Sequence, residues 1–342
     1  MNHAASEPTP QAPVLDVVAL GESMLTLRPR SNQATFEWEV CGAESNVVRY
    51  CAALGLQTAW ISQLGTDFAG DLVLSVIEAA GVDVSEVRRV SDRQTGLMLK
   101  EATTGDRRVR YYRSGSAAAH MAPPMGASLR RNPRILHLTG ITLGLSSTCR
   151  ELVESLVGDR VSAPCLSFDI NWRPAIWDGG DPSTALREAA NQCDIVFVGL
   201  DEARDLWGAT SAAEIRALLP DPGTLVVKDA ANGAHVDLAS RKLFVPALRG
   251  PVVEPVGAGD AFAAGFLFGI LRHGRDIEAC LRLGHITAMS ALAQPSDVGP
   301  VANSRTMQLL LDMPPHQWRA AHLDLTCPEH RVGTDFGPLS TS

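Results

Sequence analysis

The 342-residue sequence has no close-spaced cysteine pair, no apolar run long enough to cross a bilayer, few aromatic residues and no cluster of positive charge. Each absence removes a class of function. Seven cysteines stand far apart at positions 41, 51, 149, 165, 193, 280 and 327. Their odd number and wide spacing argue against a disulfide framework and fit a reducing, cytoplasmic setting. The nine histidines are scattered without ligand spacing, so no protein-bound zinc is expected. A membrane-spanning helix needs about 20 successive apolar residues, and no stretch approaches that. The formal net charge is −8. The nearest basic run, Arg107-Arg108-Val109-Arg110, is too short to neutralise a polyanion, so neither nucleic acid nor a membrane is an expected partner. Met1 to Pro13 contains no Lys or Arg and no long apolar run, which argues against a secretory signal and reads as a disordered tail.

What is present is a globular composition, 45% hydrophobic and 20% charged, in a chain long enough to bury a large core. Val14 to Leu20 is β-branched and almost continuously apolar, as in a strand covered on both faces. Helix-period and strand-like segments then alternate. Helices are predicted near 44–54, 69–80, 149–157, 183–191 and 212–219, and strands near 60–64, 134–139, 165–170, 195–198 and 224–228. That order implies an α/β fold with a mostly parallel sheet between two helix layers. Ser23 to Val40 and Gly96 to Arg113 break the rule. They alternate like short strands with no helix between them and read as a small antiparallel sheet, with a lid as one use. Past Leu292 the periodicity fades. The expected organisation is a tail over 1–13, a single domain over 14–300 with lid strands near 23–40 and 96–113, and an irregular tail over 301–342.

The residues richest in chemistry are Pro255-Val256-Gly257-Ala258-Gly259-Asp260-Ala261-Phe262, ahead of a strongly helical run to His273. Small residues at a helix start let backbone N–H groups converge on an anion, and the helix dipole adds to the attraction. A carboxylate at that mouth, Asp260, can accept the proton of an attacking hydroxyl. Taken without their neighbours, the two glycines could equally shape a turn and Asp260 cap a helix.

The flanking residues resemble the signature D-T-x-G-A-G-D-x-F of the ribokinase-like, or PfkB, family of carbohydrate kinases, here Glu254-Pro255-Val256-Gly257-Ala258-Gly259-Asp260-Ala261-Phe262. The likeness runs from about Val14 to Gly299 and includes Cys41-Gly42-Ala43-Glu44-Ser45-Asn46 and Gly65-Thr66-Asp67 with Gly70. It implies a three-layer α/β/α ribokinase-like sandwich with a small β-sheet lid, ATP and Mg²⁺ as cofactors, Asp260 as base, and Gly257, Ala258 and Gly259 as an anion hole. By the same resemblance Glu202 acts on magnesium through water, and Lys228 and Gly233 approach the nucleotide. Glu202 also reads as an ordinary helix-start charge, and Lys228 as a surface lysine at a strand end.

The acceptor rests on two arginines. Tyr111-Tyr112-Arg113-Ser114-Gly115-Ser116-Ala117-Ala118 and Asp169-Ile170-Asn171-Trp172-Arg173 resemble the Y-Y-R-x-x-S-A and D-x-N-x-R patterns of 2-keto-3-deoxygluconate kinases. Guanidinium groups match a substrate carboxylate in a way a neutral sugar does not require. The resemblance implies that Tyr111, Arg113 and Arg173, with Gly42 and Asn46, hold a sugar acid. The lid sheet is also a candidate surface for a homodimer or higher homo-oligomer. Arg113 as one more charge on a basic strand, and Arg173 as an ion-pair partner, is the plain alternative. Three departures stand out: Cys41 replaces the first of two usual glycines, Ala230 a nucleotide-loop glycine, and Glu254-Pro255 the usual Asp-Thr. A neutral-sugar kinase and a non-catalytic sugar or nucleotide sensor stay open as rivals. A dinucleotide-dependent dehydrogenase is disfavoured, since no G-x-G-x-x-G follows the first strand.

Overall fold

A computed structural model describes residues 14–338 apart from 31–33, 103–106, 124, 126–132, 159–163, 178–179, 239, 275, 327–329 and 335–336. The tail expected over residues 1–13 lies outside the described residues. Strand β1 (Val17–Leu20) leads to β2 (Met24–Pro29), β3 (Phe36–Cys41), helix α1 (Ala43–Ala53), β4 (Thr58–Gly65), α2 (Phe68–Ala79) and β5 (Val87–Val90). Next come β6 (Leu97–Ala102), β7 (Arg107–Tyr112), β8 (Ile135–Thr139), α3 (Gly140–Leu145), α4 (Ser147–Gly158), β9 (Cys165–Asp169), α5 (Pro182–Asn191) and β10 (Ile195–Gly199). Then follow α6 (Leu200–Trp207), α7 (Ala212–Leu218), β11 (Thr224–Asp229), β12 (Gly233–Leu238), β13 (Arg241–Pro246), α8 (Ala258–His273) and α9 (Ile277–Leu292).

Nine strands form the main sheet in the order β13-β12-β11-β10-β9-β8-β1-β4-β5. Only the β11–β12 and β12–β13 pairs are antiparallel. β1 explains why its sequence is apolar at successive positions. Val17 and Ala19 join one core with Val47 and Trp60, while Val18 and Leu20 join the other with Ile61 and Leu138. Helices cover both faces, so neither alternate set can be polar. The carboxyl ends of the parallel strands open on one side, where α/β sheets bind ligands.

The lid is a four-stranded sheet ordered β3-β2-β6-β7. Two antiparallel hairpins join side by side through the parallel pair β2–β6. Strand alternation turns Met24, Cys41 and Met98 inward to form a small buried cluster of their own. Phe36 and Trp38 stay half exposed. In the core on one face of the main sheet, α8 and α9 lie backbone against backbone. A Cβ at Gly265 would stand 2.3 Å from the Leu283 carbonyl oxygen, and one at Gly269 2.7 Å from Cys280 Cα.

The segment after residue 300 corrects the expectation of an irregular tail. Helices α10 (Ser304–Leu311) and α11 (Pro315–Ala320) and a sheet of β14 (Ala321–Asp324), β15 (Arg331–Thr334) and β16 (Gly337–Pro338) occupy much of it. They pack on the body. Trp318 is buried and donates its indole N–H to the Pro246 carbonyl at 2.9 Å. Arg282, also buried, donates to the last carbonyls of α10, at 3.0 Å to Leu311, and to Met313. Elements this short give too few turns for a hydrophobic period to register, although the Asn303 cap, which accepts from Thr306 N at 2.8 Å, is a readable start signal. Among the described residues no helix is long and apolar enough to cross a membrane.

Candidate active site

A cleft of about 410 Å³ lies between the lid and the carboxyl ends of the parallel strands. Every residue that the sequence assigns to catalysis, substrate, nucleotide or metal lines it except Ala258 and Gly233. Gly233 opens β12 at φ 145°, and a Cβ there would stand 2.3 Å from the Val245 carbonyl oxygen, so it is required by the β12–β13 hairpin. Ala258 sits between two lining glycines in the first turn of α8.

The helix starts earlier than the sequence implies. Gly257, at φ 84°, is the cap, and Ala258, Gly259 and Asp260 already belong to the first turn. A Cβ on Gly257 would stand 2.6 Å from the Asp297 carbonyl oxygen, so only glycine fits by conformation and by space. The first N–H groups of a helix lack intrahelical acceptors, and Gly257 and Gly259 bring that turn to the cleft wall.

Two amides hold the Asp260 carboxylate. Asn46, from the first turn of α1, donates at 3.0 Å, and Asn171, just past β9, donates at 3.4 Å. Asn171 has φ 40°, a conformation uncommon outside glycine and concentrated at functional sites. Behind this pair, Lys228 at the end of β11 donates to the buried Asp169 carboxylate at 2.7 Å. Glu202 accepts from Gly199 N at 2.9 Å, so it caps α6 while lining the cleft, and it meets Arg173 at 3.4 Å. On the lid side the Arg113 guanidinium pairs with Glu22, whose side chain is 0% exposed, and lies over the Tyr111 ring. Ser116 Oγ donates to the same carboxylate at 2.6 Å. A Cβ on Gly42 would collide with the Glu22 carbonyl oxygen at 2.3 Å, so that glycine lets the chain pass close beneath Glu22.

The family described as pfkB family carbohydrate kinase matches residues 14–302. The chain belongs to this family. It is 32% identical over 303 residues to the 2-dehydro-3-deoxygluconokinase of Bacillus subtilis strain 168, covering 83% of this chain and 91% of that protein. It is also 32% identical to the 2-dehydro-3-deoxygluconokinase of Thermoproteus tenax, covering 83% and 89%. The crystal structure of the PfkB protein of Polaromonas sp. JS666 superposes with a TM-score of 0.74 at 32% identity, covering 83% of this chain and 98% of that one. The protein is thus a pfkB carbohydrate kinase, an ATP-dependent phosphotransferase acting on sugars, with a ribokinase-like fold.

In this kinase, burial raises the Asp260 carboxyl to about 7, with the fields of Asp169 and Asp297 adding and the Asn46 hydrogen bond and Lys228 opposing. If Asp260 is the general base, it must be ionised to act. kcat/KM is therefore expected to climb about tenfold per pH unit below pH 7 and level off above it. A flat profile from pH 5 to 8 would remove Asp260 from the role. Burial also lifts the Cys41 thiol far above its ordinary range, so this unusual cysteine is an inert wall residue.

Sequence reasoning missed five cleft residues or neighbours: Glu22, Lys100, Asp169, Asn171 and Asp297. Asp169 and Asn171 belong to the D-x-N-x-R stretch, in which the pattern by itself points only to the arginine. Lys100 and Asp297 carry no motif. The Lys100 ammonium joins lid Glu39 at 2.8 Å and body Asp297 at 3.5 Å, a contact that only the tertiary fold creates.

Proposed function

We propose that this kinase transfers the γ-phosphoryl group of ATP to the terminal hydroxyl of a 2-keto-3-deoxy sugar acid, with Asp260 as general base. The observation that carries the reading is the meeting, in one cleft, of a proton acceptor at a helix start with Tyr111, Arg113 and Arg173. Arg173 is 48% exposed, and both its contact to Glu202 at 3.4 Å and its hydrogen bond to the Trp172 carbonyl at 2.8 Å use Nη1, which leaves the Nε and Nη2 edge for a carboxylate. Arg113 is fixed in place by Glu22 and serves as an oriented donor. The names of the relatives at 32% identity agree with an acidic acceptor.

Asp260 takes the hydroxyl proton as the oxygen attacks, and the amides of the Gly257–Gly259 turn face the charge spreading over the phosphoryl oxygens. Asn46 and Asn171 donate to different oxygens of the carboxylate and so fix its plane, and a remaining lone pair on either oxygen is left to take the proton. Among the described residues no three His, Cys, Asp or Glu side chains converge as a metal cage. A magnesium ion carried by nucleotide phosphates needs only one or two protein carboxylates, and Glu202, which lines the cleft, fits that donor set. Such an ion would neutralise phosphate charge. The outer lid face, with Phe36, Trp38 and Tyr112 exposed, is the surface through which we propose self-association.

Coupled ADP release from MgATP should be measured against 2-keto-3-deoxygluconate, its galactonate epimer, fructose, ribose and adenosine. The keto-deoxy acids should exceed the neutral acceptors by at least about 100-fold in kcat/KM. Preference for fructose or ribose overturns the acidic acceptor, and silence across the panel favours a sensor.

A further inference from the structure

The ammonium of Lys228 sits where elementary electrostatics disfavours a cation. Its nitrogen is 3.3 Å from the point a Cβ on Gly259 would occupy, directly over the first turn of α8. A helix start is the positive end of its dipole and repels positive charge. The side chain is only 17% exposed, so water does little to relieve that repulsion. Nearby carboxylates offset it: Asp169 at 2.7 Å, and Glu202 and Asp260 close enough for their fields to act on it. Asp169 takes one of the three ammonium N–H donors. The other two are left for a ligand, since Lys228 lines the cleft together with Gly257, Gly259 and Asp260. A local rule broken beside a catalytic group calls for a compensating ligand, and a cation, two glycines and a helix start sharing one wall call for a multiply charged anion.

We propose that Lys228 is a catalytic residue of this kinase, donating to the phosphoryl group in flight, and that Asp169 is the positioning residue that holds it there. This rests on Asp260 marking the point of attack. The acceptor oxygen forms its bond to the γ-phosphorus as Asp260 takes the hydroxyl proton. The bond from that phosphorus to the β,γ-bridging oxygen breaks, and its electron pair leaves with ADP. Lys228 stays protonated throughout. Its hydrogen bonds strengthen as charge gathers on the peripheral and bridging oxygens, so its contribution falls on the transition state more than on bound ATP. Gly259 then serves twice, by its amide and by the room its missing side chain leaves the ammonium, since a Cβ there would crowd the nitrogen at 3.3 Å.

The test compares Lys228→Met with the wild type on whichever sugar the wild type turns over best, so an error about the acceptor leaves it intact. kcat should fall by about 100- to 1,000-fold, as for loss of one transition-state donor. The KM for the sugar and the Kd for ADP, by titration, should stay within about threefold. Binding of ADP with aluminium fluoride and the sugar, which mimics the planar phosphoryl group, should weaken by about 100-fold or more in parallel with kcat. If the methionine variant does not fold, Lys228→Gln, which can still hydrogen-bond Asp169, takes its place. A kcat within about threefold of wild type, or a loss expressed wholly in ATP KM and ADP affinity, overturns the proposal. Either result is independent of Asp260→Asn, whose retained turnover would instead reject the base.

Discussion

Asp260→Asn is expected to lower kcat by about 100- to 10,000-fold while raising the stability of the protein at pH 8. The two effects share a cause. Burial holds the Asp260 carboxyl near 7 in the folded chain, above its ordinary value of 3.8. The folded state therefore binds a proton more readily than the unfolded state. Any stability linked to this group is fully present at low pH and lost as pH rises through 7. At pH 8 the native chain carries an ion it would rather hold neutral. Asparagine removes that cost but turns one amide of Asn46 or Asn171 against another amide, a loss of about 1 kcal/mol. The net is a thermal midpoint a few degrees higher at pH 8, with the gain vanishing near pH 5. A variant that is inactive and less stable at pH 8 would show that the carboxylate is structural and not held in readiness for a proton.

The second large effect concerns Arg113. Its partner Glu22 is wholly buried, and stripping the guanidinium from a buried carboxylate costs about 3–5 kcal/mol. Arg113→Gln alone should lower the midpoint by several degrees, and its kinetics would mix misfolding with lost recognition. Glu22→Gln with Arg113→Gln removes both charges and leaves hydrogen-bonding groups in place for Ser116, so most of the stability should return. If Arg113 orients the substrate carboxylate, the double variant should still show a KM for the sugar acid raised by about tenfold or more. Wild-type KM in the stable double variant would make Arg113 only the counter-ion of Glu22.

The course of the main sheet was legible because its strands are buried on both faces and so apolar at successive positions, as β1 illustrates with residues sent to two cores. The lid hairpins were legible by alternation. The parallel β2–β6 junction was not, since the pairing of two distant segments leaves no local trace. The segment after residue 300 was missed because α10 and α11 span only 8 and 6 residues and depend for anchorage on Arg282, an arginine that looks like a surface charge until its carbonyl partners are seen. At the site, the glycines and Asp260 announce themselves by adjacency in sequence. Asn46, Asn171 and Asp297 meet Asp260 or one another across more than 80 positions, and only the fold assembles them.

The cleft draws its two halves from different structural layers. Met24, Cys41, Met98, Lys100 and Tyr111 belong to lid strands, while Asn171, Lys228 and the Gly257–Asp260 turn belong to the sheet ends and to a helix wedged tightly against its neighbour. Substitutions in the first set, Lys100 apart because it pairs with Asp297 of the body, can refit the wall to a differently shaped acceptor without disturbing the second. The same partition makes the enzyme a modular starting point for directed evolution: libraries confined to the lid explore new sugars, while the inherited phosphate chemistry is carried along unchanged.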